Sequence, residues 1–306
     1  RNAFLTRFPK INLQMIVDYS KYHDVRVNNQ LATNSLIPDI VQLQTLQNFA
    51  RWKREGQLLA YKPAGIAEGY DEFKDPDGAW TGIWVHNITA FYNADMLSGN
   101  EPRSVANLVD PRYKGKIASC YPNDDDASLF LFKKFQEKFG WEWIRKYVEQ
   151  DVQFMRGNPS ASFTVASRNK AIGVGSGVAL VPGKTPPSVS ILAPGEPFMA
   201  WSQRAAIFAK AKHPAAAKLY LNWVLTPEAQ RIGVRTGLTV RKDLSPDPNV
   251  RQIWTYPEAN ISEFPKFMDD RAEVERWRQT LALYVGEVRG DPTPGWLGVH
   301  PSRERR

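Results

Sequence analysis

A chain of 306 residues, 42% hydrophobic and 24% charged, has room for a full core in two lobes, and this composition excludes a disordered or fibrous protein. No apolar run approaches the roughly 20 residues needed to cross a bilayer, and the lone Cys120 excludes an internal disulfide and a zinc or iron–sulfur cage built from thiolates. The net charge of +8 would suit an anionic partner, but Lys and Arg are scattered, apart from a tail at 302–306 read as solvated. No helix-turn-helix, zinc finger or aromatic RNA-binding pattern accompanies them, which argues against nucleic acid.

The opening residues, RNAFLTRFPK, carry neither a signal-peptide core nor an initiator Met. Phe4 and Phe8 lie four apart, as on one helical face, and Pro9 ends that helix. Ile11, Leu13, Met15 and Val17 alternate as a strand should. A polar segment at 18–24 leads into a helix through Leu31, residues 37–43 read as a short buried strand, and Thr45 caps a helix over 46–56. This β-loop-α repetition predicts parallel strands in an α/β layer. A long strand follows at 81–93, then an aromatic-rich helix at 128–139 and another at 141–147. A helix at 161–169, strands at 171–175 and 189–192, and a second long strand at 198–209 continue the pattern. Residues 213–241, HPAAAKLYLNWVLTPEAQRIGVRTGLTVR, predict helix, turn, helix and strand. Pro214 sits at a first helical turn, Ala216, Leu219, Tyr220 and Trp223 share one face, and Thr226–Pro227 fits an N-cap followed by N1. A last helix is expected from Asp269 to about Tyr284.

Three of these stretches carry a family likeness. The pair of helices at 213–241, the strand TGIWVHNITAFYN at 81–93 and the segment EPRSVANLVDPRYKGKI at 101–117 are similar to the type II periplasmic, or extracellular, solute-binding proteins of ABC importers, in their iron, thiamine and aminoethylphosphonate branch. The resemblance covers roughly 11–241. It implies a two-lobed α/β fold of mixed, mostly parallel sheets flanked by helices, with 81–93 and 198–209 as crossover strands acting as hinges. On that basis 1–112 and 206–245 form the first lobe, 113–205 the second, and 246–306 a C-terminal helical segment packing on the second. The family begins with a central strand that is missing before the first helix here, so a fragment of a longer protein, or an ordered part that starts late, is expected.

Catalytic motifs are absent. The four histidines are dispersed, and no GxSxG, HExxH, Walker or GxGxxG pattern gathers them. Residues 173–177, GVGSG, follow a helix and sit on a strand, the reverse of a dinucleotide fingerprint, so they predict a close backbone approach. Asp124, Asp125 and Asp126 invite a metal reading, but consecutive carboxylates diverge; placed before an apolar helix they are better explained as an N-cap and first-turn charge. In the iron-binding members of the resembled family a tyrosine pair follows the strand that corresponds to AIGVGSGVALV at 171–181, which holds no tyrosine; ferric iron in that mode is not expected.

The remaining expectation is a cleft lined by loops at strand ends, where helix N-termini present free N–H groups. Tyr19, Ser20, Thr45, Asn87, Ser128, Ser160 and Ser176 could hydrogen-bond an anionic or polar solute, and Tyr22, Trp84 and Trp201 could stack on it. Packing or capping explains each residue equally well. The resemblance implies a monomeric, non-enzymatic solute-binding protein without cofactor or membrane insertion, working in the periplasm or outside the cell with an ABC permease. Its rivals are a thiamine-pyrimidine-synthase-like enzyme, whose cysteine-rich motif is missing, and the effector-sensing module of a regulator, which needs an upstream helix-turn-helix.

Overall fold

The computed structural model describes residues 1–181, 183, 185–233, 237–245 and 249–290; the basic tail at 302–306 and His300 lie outside them. In chain order the first elements are helices α1 (Asn2–Arg7) and α2 (Ser20–Ala32), strand β1 (Ile40–Leu43), α3 (Leu46–Arg54) and the long strand β2 (Thr81–Asn93). Next come β3 (Ile117–Cys120), α4 (Asp126–Val148), β4 (Gln153–Met155), α5 (Ser160–Ala166), β5 (Ile172–Ser176), β6 (Ser188–Ile191) and β7 (Met199–Ile207). Helices α6 (Pro214–Val224), α7 (Pro227–Gly233), α8 (Glu263–Asp269) and α9 (Arg271–Val285) follow.

The seven strands form one sheet in the order β1-β7-β2-β5-β3-β4, with β6 also on β2. Thirteen residues make β2 roughly 43 Å long at about 3.3 Å per residue, enough to serve both ends of the sheet. Its first part pairs antiparallel with β7, His86 opposite Trp201, and its last part with β5 and β6, Ala90 opposite both Val174 and Ile191. Beyond β7 lies β1; beyond β5 lie β3 and β4. Thus β2 and β7 span a molecule with helices at both ends.

Three expectations need correction. The sheet is mixed, but among the described residues four strand pairings are antiparallel and two parallel, because the crossover pair and β6 run against their neighbours. Residues 11–17 alternate as predicted, with Ile11, Leu13 and Met15 packed on the apolar cluster that holds Phe4 and Leu221 and Ile16 turned outward, yet they join no ladder. A strand is defined by its partner, and no described strand lies beside them. For the same reason the strand expected after α7 is reduced to a single bridge, Gly69 to Arg241.

Packing divides the interior. At the β1 end, Phe4, Ile83, Ile207, Leu221 and Val224 form one cluster, while Val41, Leu43, Phe49, Trp52 and Phe208 form a second beneath α2 and α3. At the β3 end, Ile88, Leu129, Phe132, Ile172 and Phe264 form the largest cluster, which also takes Leu97, Val105 and Leu108. Phe91, Ala118, Ala161 and Val165 pack beneath α5. Within α4, Gly140 has φ 81°, a value L side chains resist, and breaks the run into the two helices the sequence predicts. The break lets Trp141 stack on Tyr284 of α9, centroids 5.1 Å apart and planes 9° from parallel.

Candidate functional site

The loops at the strand ends meet along a seam between the two ends of the molecule. On the β1 side the chain turns into α2 at Tyr19. Ser20 Oγ accepts the backbone N–H of Gln44 at 2.9 Å, tying the start of α2 to the loop after β1. Thr45 occupies the N-cap position of α3 but makes no side-chain cap bond; its hydroxyl accepts from Asn48 Nδ2 at 2.9 Å. Tyr22 is exposed, its ring 6.1 Å from that of Tyr19 and edge-on to it.

On the β3 side the acid run is resolved residue by residue. Asp125 is the N-cap of α4, its Oδ1 accepting Ser128 N–H at 2.8 Å. Its Oδ2 accepts Asn158 Nδ2 at 3.3 Å, and Asn158 Oδ1 accepts Ser176 Oγ at 2.8 Å. Burial pushes the Asp125 carboxyl up and Asp126 adds to this, against the bonds from Ser128 and Asn158. Asp126 faces Arg278 at 2.6 Å and Arg271 at 3.4 Å. Asp124 turns to the seam, where Lys21 Nζ of α2 donates to Oδ1 at 2.8 Å and Arg156 Nε to Oδ2 at 3.1 Å. The three carboxylates therefore serve separate partners: Asp125 is the expected N-cap and Asp126 the expected first-turn charge, while Asp124 is neither. Among the described residues no group of three or more His, Cys, Asp or Glu could hold a metal ion.

A second contact crosses the same seam. Gly157 has φ 82°, and a Cβ placed there would lie 2.2 Å from Tyr19 Oη; the tyrosine packs against bare backbone. Ser160 Oγ donates to the carbonyl of Arg156 at 2.8 Å, fixing the loop that presents Arg156 and Gly157. The glycine-rich stretch behind it makes the close approach its sequence suggests: a Cβ at Gly175 would meet the Asn158 carbonyl at 2.5 Å.

The expected residues divide accordingly. Tyr19, Tyr22, Ser128, Ser160 and Ser176 lie on or at the ends of elements that adjoin the seam loops, and Ser20 braces the seam. On the crossover, Asn87 is buried, its Nδ2 donating to the Val178 carbonyl while Oδ1 has no partner. Trp84 is half-buried against the first core. Trp201 is 1% exposed, with its ring edge-on to Phe264, and belongs to the core under α8. Lys21, Asp124, Arg156 and Gly157 were absent from the expected set. Asp124 carried a signal, since a helix needs one N-capping acid and the run supplies three; Arg156 and Lys21 sit in ordinary charged segments. His86, also on the crossover, donates from Nε2 to Gln203 Oε1 at 3.1 Å, a tautomer assigned because Gln203 Nε2 is committed to the Gln42 carbonyl. Burial pushes its pKa down, the Gln203 bond opposing, so the ring is neutral at pH 7. A separate cavity of about 300 Å³ lined by Arg7, Phe8, Pro9, Lys10, Ile11 and Leu219 shares no residue with the seam.

The sequence pattern of the family described as bacterial extracellular solute-binding protein matches residues 35–253. The spermidine/putrescine-binding periplasmic protein of Escherichia coli strain K12 is 25% identical over 218 residues, 64% of this chain and 60% of that protein; the chain thus spans about three-fifths of this curated relative. Two solved structures share the fold. The periplasmic binding protein AfuA from Actinobacillus pleuropneumoniae, with fructose-6-phosphate bound, superposes with a TM-score of 0.74 at 17% identity, covering 93% of each chain. Iron-bound HitA from Pseudomonas aeruginosa gives 0.65 at 16% identity, over 92% of this chain and 93% of its own.

Proposed function

We propose, from the premise that this chain belongs to the bacterial extracellular solute-binding protein family, that it captures a small polar or anionic solute between two lobes and closes over it by bending at β2 and β7. The observation that carries the reading is the seam: Tyr19 and Lys21 reach from one side to Gly157 and Asp124 on the other. A ligand held from both sides at once stabilises the closed form, which converts affinity into a shape that a permease can recognise. We retain the lobes expected at 1–112 with 206–245 and at 113–205 as part of this reading, with one shift. The packing of Leu97, Val105 and Leu108 with Leu129 and Phe132 supports placing 88–112 in the second lobe. The contacts of α9 with α4 support the same side for that helix, while α8 touches both α3 and α4. Work in the periplasm or outside the cell, as a monomer serving an ABC importer, completes the proposal.

Charge favours an anion over a polyamine. Around the acid run stand Lys21, Arg156, Arg271 and Arg278 against Asp124, Asp125 and Asp126, and burial raises the pKa of Asp125. A polyamine needs surplus carboxylate; here each acid already has a donor. Calorimetric titration with fructose 6-phosphate, citrate, ferric citrate and spermidine tests the reading. We expect heat from a phosphate or carboxylate and none from spermidine. Tight spermidine binding would overturn the anion preference, and a phenolate colour with one iron per chain would overturn the exclusion of iron. If no solute of a broad metabolite panel binds, the capture function itself is wrong.

A further inference from the structure

We propose that Lys21 and Arg156 form the anion subsite of this cleft and that Asp124 is its resident occupant, a carboxylate the chain supplies until one from a solute, or a phosphate, takes its place. The inference rests on the solute-binding reading above and assigns its ligand chemistry. Arg156 holds Asp124 with a fork, Nε to Oδ2 at 3.1 Å and Nη2 to Oδ1 at 3.2 Å, and Lys21 Nζ adds a bond to Oδ1 at 2.8 Å. Such planar, two-point recognition is the arrangement in which guanidinium groups select carboxylates and phosphates.

Three features separate this triad from an ordinary surface ion pair. Its members come from three places: the first turn of α2, the loop after β3 and the loop after β4. Lys21 approaches from the opposite side of the seam. The triad is also uneven, two cations sharing one carboxylate. Desolvation is graded outward, with the side chain of Asp124 12% exposed, Arg156 22% and Lys21 40%. The pair deepest in the seam is organised, while the lysine reaches it from a position solvent still enters. Arg156 also donates to the Gly290 carbonyl at 3.4 Å, which anchors the guanidinium when its carboxylate partner changes.

Occupancy and structural bracing make opposite forecasts. If Asp124 were only a brace, its removal would loosen the seam and weaken every ligand. An occupant competes, so Asp124→Asn, which keeps the shape and removes the charge, should strengthen anion binding about tenfold, the value of one charge-assisted contact released to the ligand. Arg156→Gln and Lys21→Met should each weaken the same anion at least tenfold, and Arg156→Lys, which keeps the charge without the fork, should recover only part of it. The measurement is calorimetric titration of the full chain and each variant with inorganic phosphate and with citrate, the two arms distinguishing phosphate from carboxylate recognition. Unfolding midpoints taken alongside ensure that only folded variants are compared. Weaker anion binding by Asp124→Asn, or an anion affinity indifferent to Arg156→Gln, would overturn the proposal. Spermidine binding with no response to either anion would overturn it too while leaving solute capture standing, whereas a chain that binds no small molecule would remove both.

Discussion

Trp84 and Trp201 look alike in the sequence, a large ring on each crossover strand, and alternation says only that neighbouring residues face opposite ways. It does not say which face a lobe will cover. The answer depends on α8, whose Phe264 meets the Trp201 ring with centroids 5.7 Å apart, and on Leu46 at the start of α3. Trp201 is therefore enclosed, whereas Trp84 keeps part of its surface. The Trp201 indole N–H has no partner, so what that side chain contributes is volume and apolar area. Trp201→Ala should cost roughly 3 to 5 kcal/mol of global stability, the usual range for a large aromatic truncated in a packed core. Trp84→Ala should cost clearly less. Equilibrium denaturation of both variants checks this, and equal losses would show that burial is misassigned. Asp125 and Asp124 teach the complementary lesson. The cap was legible because an N-terminal acid before an apolar helix has a local cause; the role of Asp124 was not, because its partners Lys21 and Arg156 lie 103 and 32 residues away.

Most elements were readable because their causes are local. Pro214 and Pro227 sit at the starts of α6 and α7 as their missing N–H permits, β2 spans the residues expected of it, and Gly140 divides α4 where the aromatic pattern changes. Failures came where an element needs a distant neighbour. Residues 11–17 have the alternation of a strand, and their apolar side chains do pack, but the backbone bonds of a strand are made with another chain segment. The β1 strand shows the consequence from the sheet side, with β7 as its one named partner and its other edge outermost in the order. Amides at 11–17 should therefore exchange with solvent far faster than those at 83–88 of β2, which lie within the β2–β7 ladder. Hydrogen exchange read by mass spectrometry separates the two segments. Equal protection would mean that 11–17 is paired in solution and that its strand pattern is realised after all.

At the scale of the whole molecule the question is what holds the two ends together when no solute bridges them. The ion pair between Lys21 and Asp124 is one contact, but one partner is 40% exposed, and such pairs contribute about 0 to 1 kcal/mol. The fit of Tyr19 against Gly157 is steric and does not fade with salt. Adding a single methyl at Gly157 places it 2.2 Å from Tyr19 Oη, a distance that no relaxed structure keeps, and 3.0 Å from Cζ. Gly157→Ala should therefore swing the tyrosine out or part the lobes, and the unliganded protein should show a larger radius of gyration by small-angle scattering. If the closed form falls to about a tenth of its former population, affinity for any solute that needs closure falls about tenfold. The substitution has a second effect, because φ of 82° strains any residue with a Cβ by roughly 1 kcal/mol. The double variant Tyr19→Ala/Gly157→Ala separates the two: backbone strain persists, but the clash is gone. Compaction regained in the double variant assigns the opening to the seam. If the single variant stays as compact as the parent, Tyr19 and Gly157 do not gate closure, and the hinge must be governed by residues of β2 and β7 themselves.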